Sequence, residues 1–179
     1  SNMCHESSGT ALTEAIGVGK GSVTVEDIAS ADLIVIAGQN PGTNHPRMLS
    51  VLEKAKANGA KIIAVNPLRG AGRIRFNDPQ TVRGMAGRGV TIADECVQIR
   101  LGGDMGLFRG VAKLLLEAED RAPGTVVDRE FIARHCCGFD EYADAARSVD
   151  VETVLAATGI TAAQLHRVAA MMAASRRTV

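Results

Sequence analysis

The residues whose types and spacing point most directly to chemistry follow a buried apolar run in the first third of the chain. Leu33–Ala37 is continuously apolar, which is typical of a strand buried on both faces of a parallel sheet. Gly38–Gly42 then predicts a tight turn, and Thr43 or Asn44 is placed to cap a helix that starts near Pro46. Such a loop offers free backbone N–H groups at the carboxyl edge of a sheet, where phosphates and nucleotides bind. An ordinary β–α turn explains the same pattern, because no strict G-x-G-x-x-G is present.

A second loop of the same kind follows the next apolar run. Lys61–Val65 predicts a strand, and it ends in Asn66 and Pro67. The order strand, helix, strand predicts a right-handed crossover between parallel strands. We therefore expect the loops at 38–44 and 66–73 to face one crevice.

The remaining elements predict an α/β fold: a three-layer, Rossmann-like parallel sheet with helices on both faces, plus a helical C-terminal part. Glu95–Leu101 alternates in polarity, which is typical of a strand nearer the sheet edge. A third loop, Gly102–Asp104, leads into a long helix over Met105–Glu119. We predict a lead-in segment at 1–30, an α/β core at 31–120 and a helical extension at 121–179. Shorter helices are predicted at 8–16, 25–29, 45–58, 128–135, 139–149, 150–158 and 161–175.

The segment between the second and third strands carries a local excess of arginine. Residues 70–91 have little periodicity, and so long a loop inside a compact domain is usually functional or mobile. Its guanidinium groups are suited to phosphate oxygens, and equally to solvent. The arginines in and beside this segment are Arg69, Arg73, Arg75, Arg83 and Arg88.

Composition excludes several classes of protein. Lys+Arg and Asp+Glu both number 20, so no net charge attracts nucleic acid or an anionic membrane. No apolar run reaches the roughly 18 residues of a membrane span, and we expect no signal peptide. None of the cysteines forms a C-x-x-C pair, which favours a reducing, cytoplasmic location. They are Cys4, Cys96, Cys136 and Cys137.

Two features near the start of the chain need separate interpretation. Gly17–Ser22 looks like a phosphate loop, but its spacing differs from G-x-x-x-x-G-K-[ST] and no buried strand precedes it. Cys4 and His5 form a reactive-looking pair. From these two residues alone, a small core cysteine beside a hydrogen-bonded surface histidine is the commoner explanation.

Five motifs in collinear order resemble the large catalytic subunit of molybdopterin-guanine-dinucleotide oxidoreductases, in the branch close to the formate dehydrogenase alpha subunit. They cover nearly the whole chain, and their agreement in order makes the resemblance specific. The motifs are Cys4-His5 with Gly17-x-Gly19, Gly38-Gln39-Asn40-Pro41 with His45-Pro46, Gly59 to Pro67, Gly102-Gly103-Asp104, and Gly138 to Tyr142 with Thr158 to Thr161.

The resemblance implies roles for individual residues. Cys4 would bind molybdenum or tungsten through its thiolate, which suits a soft metal, and His5 would accept a proton from substrate. Asp104 would accept two hydrogen bonds from guanine, whereas an ordinary helix N-terminal aspartate is the alternative. The implied contacts to the guanine dinucleotide are Gly38, Asn40, Pro41, His45, Asn66, Pro67, Gly102 and Asp104.

The resemblance also implies an activity for the intact protein. It would perform a two-electron oxidation or reduction of a small molecule such as formate and pass electrons to an acceptor, with a 4Fe–4S cluster elsewhere in the polypeptide. We expect this chain to be a fragment that is inactive without the remaining domains.

Departures from the family pattern keep a second hypothesis open. Asn66 stands where an aspartate is usual, Thr43 stands where an acidic residue is frequent, and the segment at 70–91 is longer than in typical formate dehydrogenases. A non-catalytic nucleotide-binding or interaction module that has lost the metal is the alternative. An NAD-type dehydrogenase is disfavoured, because this sequence lacks both the G-x-G-x-x-G fingerprint and an acidic residue at the end of the second strand.

Overall fold

The computed structural model describes residues 6–68, 75–76 and 90–179. Cys4, His5 and most of the arginine-rich segment lie outside these residues, and of Arg75 only the backbone is described. The helices are α1 (Glu6–Ile16), α2 (Val25–Ser30), α3 (Pro41–Asn44), α4 (Pro46–Ala57), α5 (Asp104–Arg121), α6 (Arg129–His135), α7 (Phe139–Arg147), α8 (Val151–Thr158) and α9 (Ala162–Ala173). The strands are β1 (Leu33–Ala37), β2 (Lys61–Val65), β3 (Arg75–Phe76), β4 (Val90–Thr91) and β5 (Glu95–Val97).

A parallel sheet of the order β1-β2-β5 forms the centre of the described chain. Leu33 pairs with Lys61 at one end of β1, and Ala37 pairs with Val65 at the other. Val65 in turn pairs with Val97 of β5. The predicted α/β fold and the parallel crossover are therefore confirmed, and the strands end level with one another at their carboxyl edge.

The last residues of the chain add to the other side of β1, which the sequence analysis did not predict. Thr178 forms a parallel bridge with Leu33, and the Val35 N–H donates to the Val179 carbonyl at 2.8 Å. Arg177 binds the Asp32 carboxylate, with Nη2 to Oδ1 at 2.9 Å. This hydrogen bond lowers the pKa of Asp32. Because β1 has neighbours on both sides, it lies inside the sheet.

Alternate residues of the strands point to opposite faces, and each face is covered by helices. On one face Leu33 and Ile63 pack with side chains of α5, α8 and α9. On the other face Ile34 and Ile62 pack against α4. The two hydrophobic cores account for the continuous apolar runs of β1 and β2, because a strand buried on both faces has no polar side.

The spacing of apolar residues predicts buried stripes on two helices, and both predictions are partly wrong. The predicted stripes are Met48, Val51, Leu52 and Ala55 in α4, and Leu107, Val111, Leu114 and Leu115 in α5. In α4 the buried side chains are Leu49, Leu52 and Ala55, whereas Met48 and Val51 are only partly buried. In α5 the buried set includes Leu116, with Leu115 only partly buried. Leu116 packs in a third cluster against α7, which explains why the buried surface of α5 is wider than one stripe.

Helix starts also differ from the sequence prediction in the first loop. Thr43 and Asn44 lie within the short helix α3, and His45 occupies the N-cap of α4 without a side-chain cap. The predicted cap by either residue was therefore wrong. The sequence also predicts Ser7 or Ser8 as the cap of the first helix, but both residues lie inside α1. The sequence further predicts Asp128 as the cap of the helix at 128–135. This prediction is confirmed, because Asp128 accepts from the Phe131 N–H at 2.8 Å at the start of α6.

The strand β5 and the described residues before it differ from the sequence prediction. β5 ends at Val97 instead of continuing to Leu101. Within the segment predicted to be structureless, β3 and β4 pair in antiparallel fashion.

Among the described residues, no helix is long and apolar enough to cross a membrane.

Glu119 is a buried carboxylate that the helical pattern did not distinguish from surface residues. It is 1% exposed, near the end of α5. Its oxygens accept from the backbone N–H groups of Gly124, Val126 and Val127 at 2.7, 3.1 and 3.1 Å, and from Arg129 Nε at 3.2 Å. These donors, the Gly124 N–H first, lower the pKa of Glu119 to about 2. The side chain thereby fixes the loop between α5 and α6.

Candidate functional site

The loops that follow β1 and β2 meet at the carboxyl edge of the sheet. The Gly38 N–H donates to the Val65 carbonyl at 3.0 Å, and the Asn66 N–H donates to the Val97 carbonyl at 3.0 Å. Each loop therefore starts hydrogen-bonded to the end of the next strand. Gly38 has φ +69°, which an L side chain rarely adopts, so glycine permits the turn there.

Asn40 carries an unsatisfied polar atom in this first loop. Its Oδ1 is buried and, within the described part of the chain, has no hydrogen-bond partner. Asn40 is the N-cap of α3, but its side chain makes no capping bond. A buried acceptor without a partner carries a free-energy cost of roughly 1–3 kcal/mol. Such an atom fits an N–H or O–H donor supplied by a bound molecule.

A groove lies beside the same loop. Gln39, Pro41 and His45 line it, and its volume is about 350 Å³. Its remaining wall is largely apolar and comes mainly from β1 and α4, with Ile34, Ile36, Met48, Leu52 and Val179 among the lining residues. A mainly apolar pocket with a few polar groups at one end is the usual form of a small-molecule site.

Gln39 is a polar residue of this loop to which the sequence analysis gave no role. Its Nε2 lies 2.7 Å from Nδ1 of His45, and Asn44 Nδ2 donates to its Oε1 at 3.5 Å. The amide thus connects both ends of the loop. Its place within the Gly38–Pro41 motif is the one sequence signal that pointed to it.

The second loop is held by its own hydrogen bonds. Asn66 Oδ1 accepts from the Leu68 N–H at 3.0 Å, which is a local turn. The Pro67 carbonyl accepts from Gln98 Nε2 at 3.0 Å. Gln98, just beyond β5, was not among the predicted site residues, and its polar position at the strand end gave no specific signal. Gln98 therefore ties the second loop to the end of β5.

The third loop is attached to α8 rather than to the first two loops. The Arg100 N–H donates to the Thr158 carbonyl at 2.9 Å, and Arg100 Nη1 donates to the Ala156 carbonyl at 2.6 Å. A Cβ on Gly103 would lie 3.0 Å from the Arg100 carbonyl oxygen and 3.2 Å from Thr158 Cα. Only glycine allows this close approach of loop and helix without a shift.

The predicted site residues are therefore distributed unequally. Gly38 and Asn66 are brought together, and Pro41 and His45 share one groove. Asp104 is exposed at the start of α5, and within the described residues its carboxylate forms no hydrogen bond or ion pair. No group of three or more potential metal ligands occurs in the part of the chain that the structure describes, which does not include Cys4.

Comparison with known proteins gives relatives over the full length of the chain. The chain is 70% identical over 179 residues to an uncharacterized oxidoreductase of Mycobacterium tuberculosis and 40% identical over 184 aligned positions to protein YdeP of Escherichia coli. It spans 23–24% of the length of these curated relatives. No family model matches the chain.

More distant relatives have named activities. Formate dehydrogenase H of Escherichia coli is 26% identical over 174 residues, with 97% of this chain and 21% of that protein aligned. The assimilatory nitrate reductase catalytic subunit of Bacillus subtilis is 24% identical over 172 residues, with 96% of this chain and 21% of that subunit aligned.

One solved structure supports the fold. Acetylene hydratase from Pelobacter acetylenicus superimposes with a TM-score of 0.73 at 22% identity, over 98% of this chain and 21% of that protein. The family resemblance carried by the motifs is confirmed by these relatives: the chain is homologous to a segment of molybdopterin oxidoreductases such as formate dehydrogenase H, and it spans 21–23% of their length.

Proposed function

We propose that this chain is the part of a molybdopterin-dependent oxidoreductase that binds the nucleotide portion of the cofactor, and that the whole protein resembles formate dehydrogenase in its chemistry. The alignment with formate dehydrogenase H over 97% of the chain supports the oxidoreductase class. The groove and loops at the carboxyl edge support nucleotide binding, since α/β proteins bind such ligands at this edge.

The observation that carries the proposal is the Oδ1 of Asn40, which has no hydrogen-bond partner among the described residues. It is buried at the carboxyl edge, beside the groove-lining residues Gln39 and Pro41. A hydroxyl or amino group of a nucleoside would satisfy it and remove the cost of the unmade hydrogen bond. This acceptor in the first loop is therefore suited to a nucleoside donor.

The other predicted residues have complementary roles in this proposal. Gly38 gives the backbone its turn, Pro41 and His45 line the groove, and Asn66 and Pro67 belong to the second loop at the same sheet edge. Gly102 and Asp104 would contact the ligand from the third loop. We propose that Cys4 ligates the metal and that His5 accepts a proton from the substrate, as the family resemblance implies.

The bound molybdenum or tungsten cofactor would supply the two-electron oxidation or reduction. The substrate would be a small molecule such as formate, and the remaining domains of the polypeptide would complete the cofactor site and carry any 4Fe–4S cluster. Since the chain spans about a quarter of its relatives, we expect it to be inactive by itself. A cytoplasmic location remains a prediction.

One observation favours the alternative, a nucleotide-binding or interaction module without metal. Asn66 replaces an expected carboxylate, and its Oδ1 accepts from the Leu68 N–H within its own loop. An amide engaged in this way is less available to a cofactor than a carboxylate would be.

Elemental analysis of the purified full-length protein tests the proposal. We expect about one molybdenum or tungsten per polypeptide, together with guanine nucleotide released on denaturation. Cys4→Ala should remove the activity, and Asn40→Leu should reduce the nucleotide content. Nucleotide without metal would establish the alternative, and a protein containing neither would refute nucleotide binding at this edge.

A further inference from the structure

We propose that Gln39 holds His45 as the neutral tautomer protonated at Nε2, so that the first loop presents an imidazole N–H donor to an oxygen of the bound nucleotide, most simply a phosphate oxygen. The choice of ligand rests on the proposed function. The assignment of the tautomer rests on geometry alone.

The tautomer follows from a chain of three side chains. Asn44 Nδ2 donates to Gln39 Oε1 at 3.5 Å, so the amide nitrogen of Gln39 faces His45. That nitrogen lies 2.7 Å from His45 Nδ1. An amide nitrogen only donates, and therefore Nδ1 must accept and must be unprotonated. The single proton of the neutral ring is then on Nε2.

Nε2 is available for a ligand. The His45 side chain is exposed, and among the described residues its hydrogen bond to Gln39 is the only one that it makes. His45 also lines the groove beside Asn40. The loop consequently offers two complementary groups, an acceptor at Asn40 Oδ1 and a donor at His45 Nε2.

The position of His45 favours an anionic oxygen as the acceptor. His45 is the N-cap of α4, a helix of 12 residues, and no side chain caps that helix. The positive end of a helix dipole favours negative charge in its vicinity. A neutral imidazole can donate to a phosphate oxygen there without adding a full positive charge.

Nitrogen-15 NMR of the 179-residue chain tests the tautomer directly. At a pH where the ring is neutral, we expect Nδ1 of His45 to give the shift of an unprotonated nitrogen and Nε2 that of a protonated one. The spectrum of His45→Gln identifies the signals among those of the chain's histidines. A protonated Nδ1 would overturn the assignment, because it would mean that both amides are reversed.

Variants of Gln39 test the positioning role. Gln39→Glu supplies an acceptor in place of the donor, so protonation at Nδ1 is expected. Gln39→Leu should leave a mixture of tautomers. The matched control is Gln164→Leu, which replaces a glutamine of the α9 capping box and should leave the His45 signals unchanged. An unchanged tautomer in both Gln39 variants would refute the role of Gln39.

Nucleotide retention by the full-length protein tests the ligand. Gln39→Glu should weaken retention about tenfold, as expected for loss of one hydrogen bond to a charged group. If the wild-type protein retains no nucleotide while the NMR result holds, the proposed function fails and the tautomer assignment stands. If nucleotide is retained equally by wild type and Gln39→Glu, the donor role of His45 is refuted.

Discussion

Replacing Asn40 with leucine should make the free chain more stable and the cofactor-binding protein less able to hold its ligand. Asn40 Oδ1 is buried and, within the described structure, unpartnered. Leucine is similar in size and carries no polar atom, so the substitution removes the unsatisfied acceptor. The cost of such an acceptor is roughly 1–3 kcal/mol. The substitution also removes the favourable solvation of the rest of the asparagine amide. We therefore expect a gain in stability at the lower end of this range, about 1 kcal/mol.

Thermal unfolding of the 179-residue chain measures this effect. A gain of about 1 kcal/mol raises the melting temperature of a chain of this length by roughly 2–4 °C. Asn58→Leu is the matched control, since Asn58 Nδ2 donates to the Ala29 carbonyl at 3.0 Å. The same substitution there removes a hydrogen bond that is made, and it should lower stability by about 1 kcal/mol.

The two variants should therefore shift stability in opposite directions. A loss of stability in Asn40→Leu equal to that in Asn58→Leu would show that Oδ1 of Asn40 is satisfied in the free protein. That result would remove the main support for a ligand at this position. Nucleotide content of the full-length Asn40→Leu protein completes the experiment, and the reasoning requires it to fall while the chain's stability rises.

Three further substitutions test the packing that supports the site. Glu119→Gln should lower the melting temperature by several degrees at pH 7. The pKa of Glu119 is about 2 in the folded chain and 4.5 ordinarily, so its stabilisation is present above pH 4.5 and is lost as the pH falls towards 2. The difference in melting temperature from wild type should therefore shrink at pH 3. A difference that is the same at both pH values would contradict this assignment. Gly110→Ala should destabilise the chain by about 1–3 kcal/mol in chemical denaturation, since its Cβ would lie 2.8 Å from Val154 Cγ1; Gly9→Ala, whose Cβ would meet nothing nearer than 3.7 Å, should not. Arg100→Met should lower stability by about 1 kcal/mol, because the hydrogen bond to the Ala156 carbonyl is lost. It should also increase the amide hydrogen exchange of Gly103. Unchanged exchange at Gly103 would show that the Arg100 side chain does not hold the third loop.

The strands that could be predicted from the sequence are those whose burial is determined locally. β1 and β2 have the predicted bounds because both are apolar on both faces and each is preceded or followed by glycine. β5 is shorter than predicted because Arg100, in the expected strand, bonds instead to the Thr158 carbonyl. That partner lies far along the sequence, and no local pattern identifies it.

The parts that escaped prediction depend on tertiary partners of this kind. Thr178 and Val179 show no apolar run, yet they pair with β1. Backbone hydrogen bonds from Asp32 and Leu33 to the Arg177 carbonyl, and the ion pair between Arg177 and Asp32, accompany that pairing. Glu119 resembled any exposed helical carboxylate until the N–H groups of the following loop were seen to converge on it.

The site was predictable where it depends on backbone turns and less so where it depends on side-chain partners. The glycine and proline of the first loop predicted its place at the carboxyl edge, and Gly38 indeed has a positive φ. Gln39 and Gln98 were missed because their function in the structure is to bond other loop residues. Hydrogen bonds of this kind within and between loops cannot be recognised from the spacing of residues in the sequence.

The topology explains why the first loop, more than the third, is the centre of the candidate site. β1 has β2 on one side and Thr178 on the other, and the chain reaches these neighbours by helices on opposite faces of the sheet. Where the connections of neighbouring parallel strands lie on opposite faces, a crevice forms beyond the carboxyl ends of the strands, and α/β proteins bind ligands there. The third loop follows β5 on the far side of β2 and is anchored to α8 by Arg100. Gln39, Asn40 and His45 are therefore the residues at which substitution should affect ligand binding most.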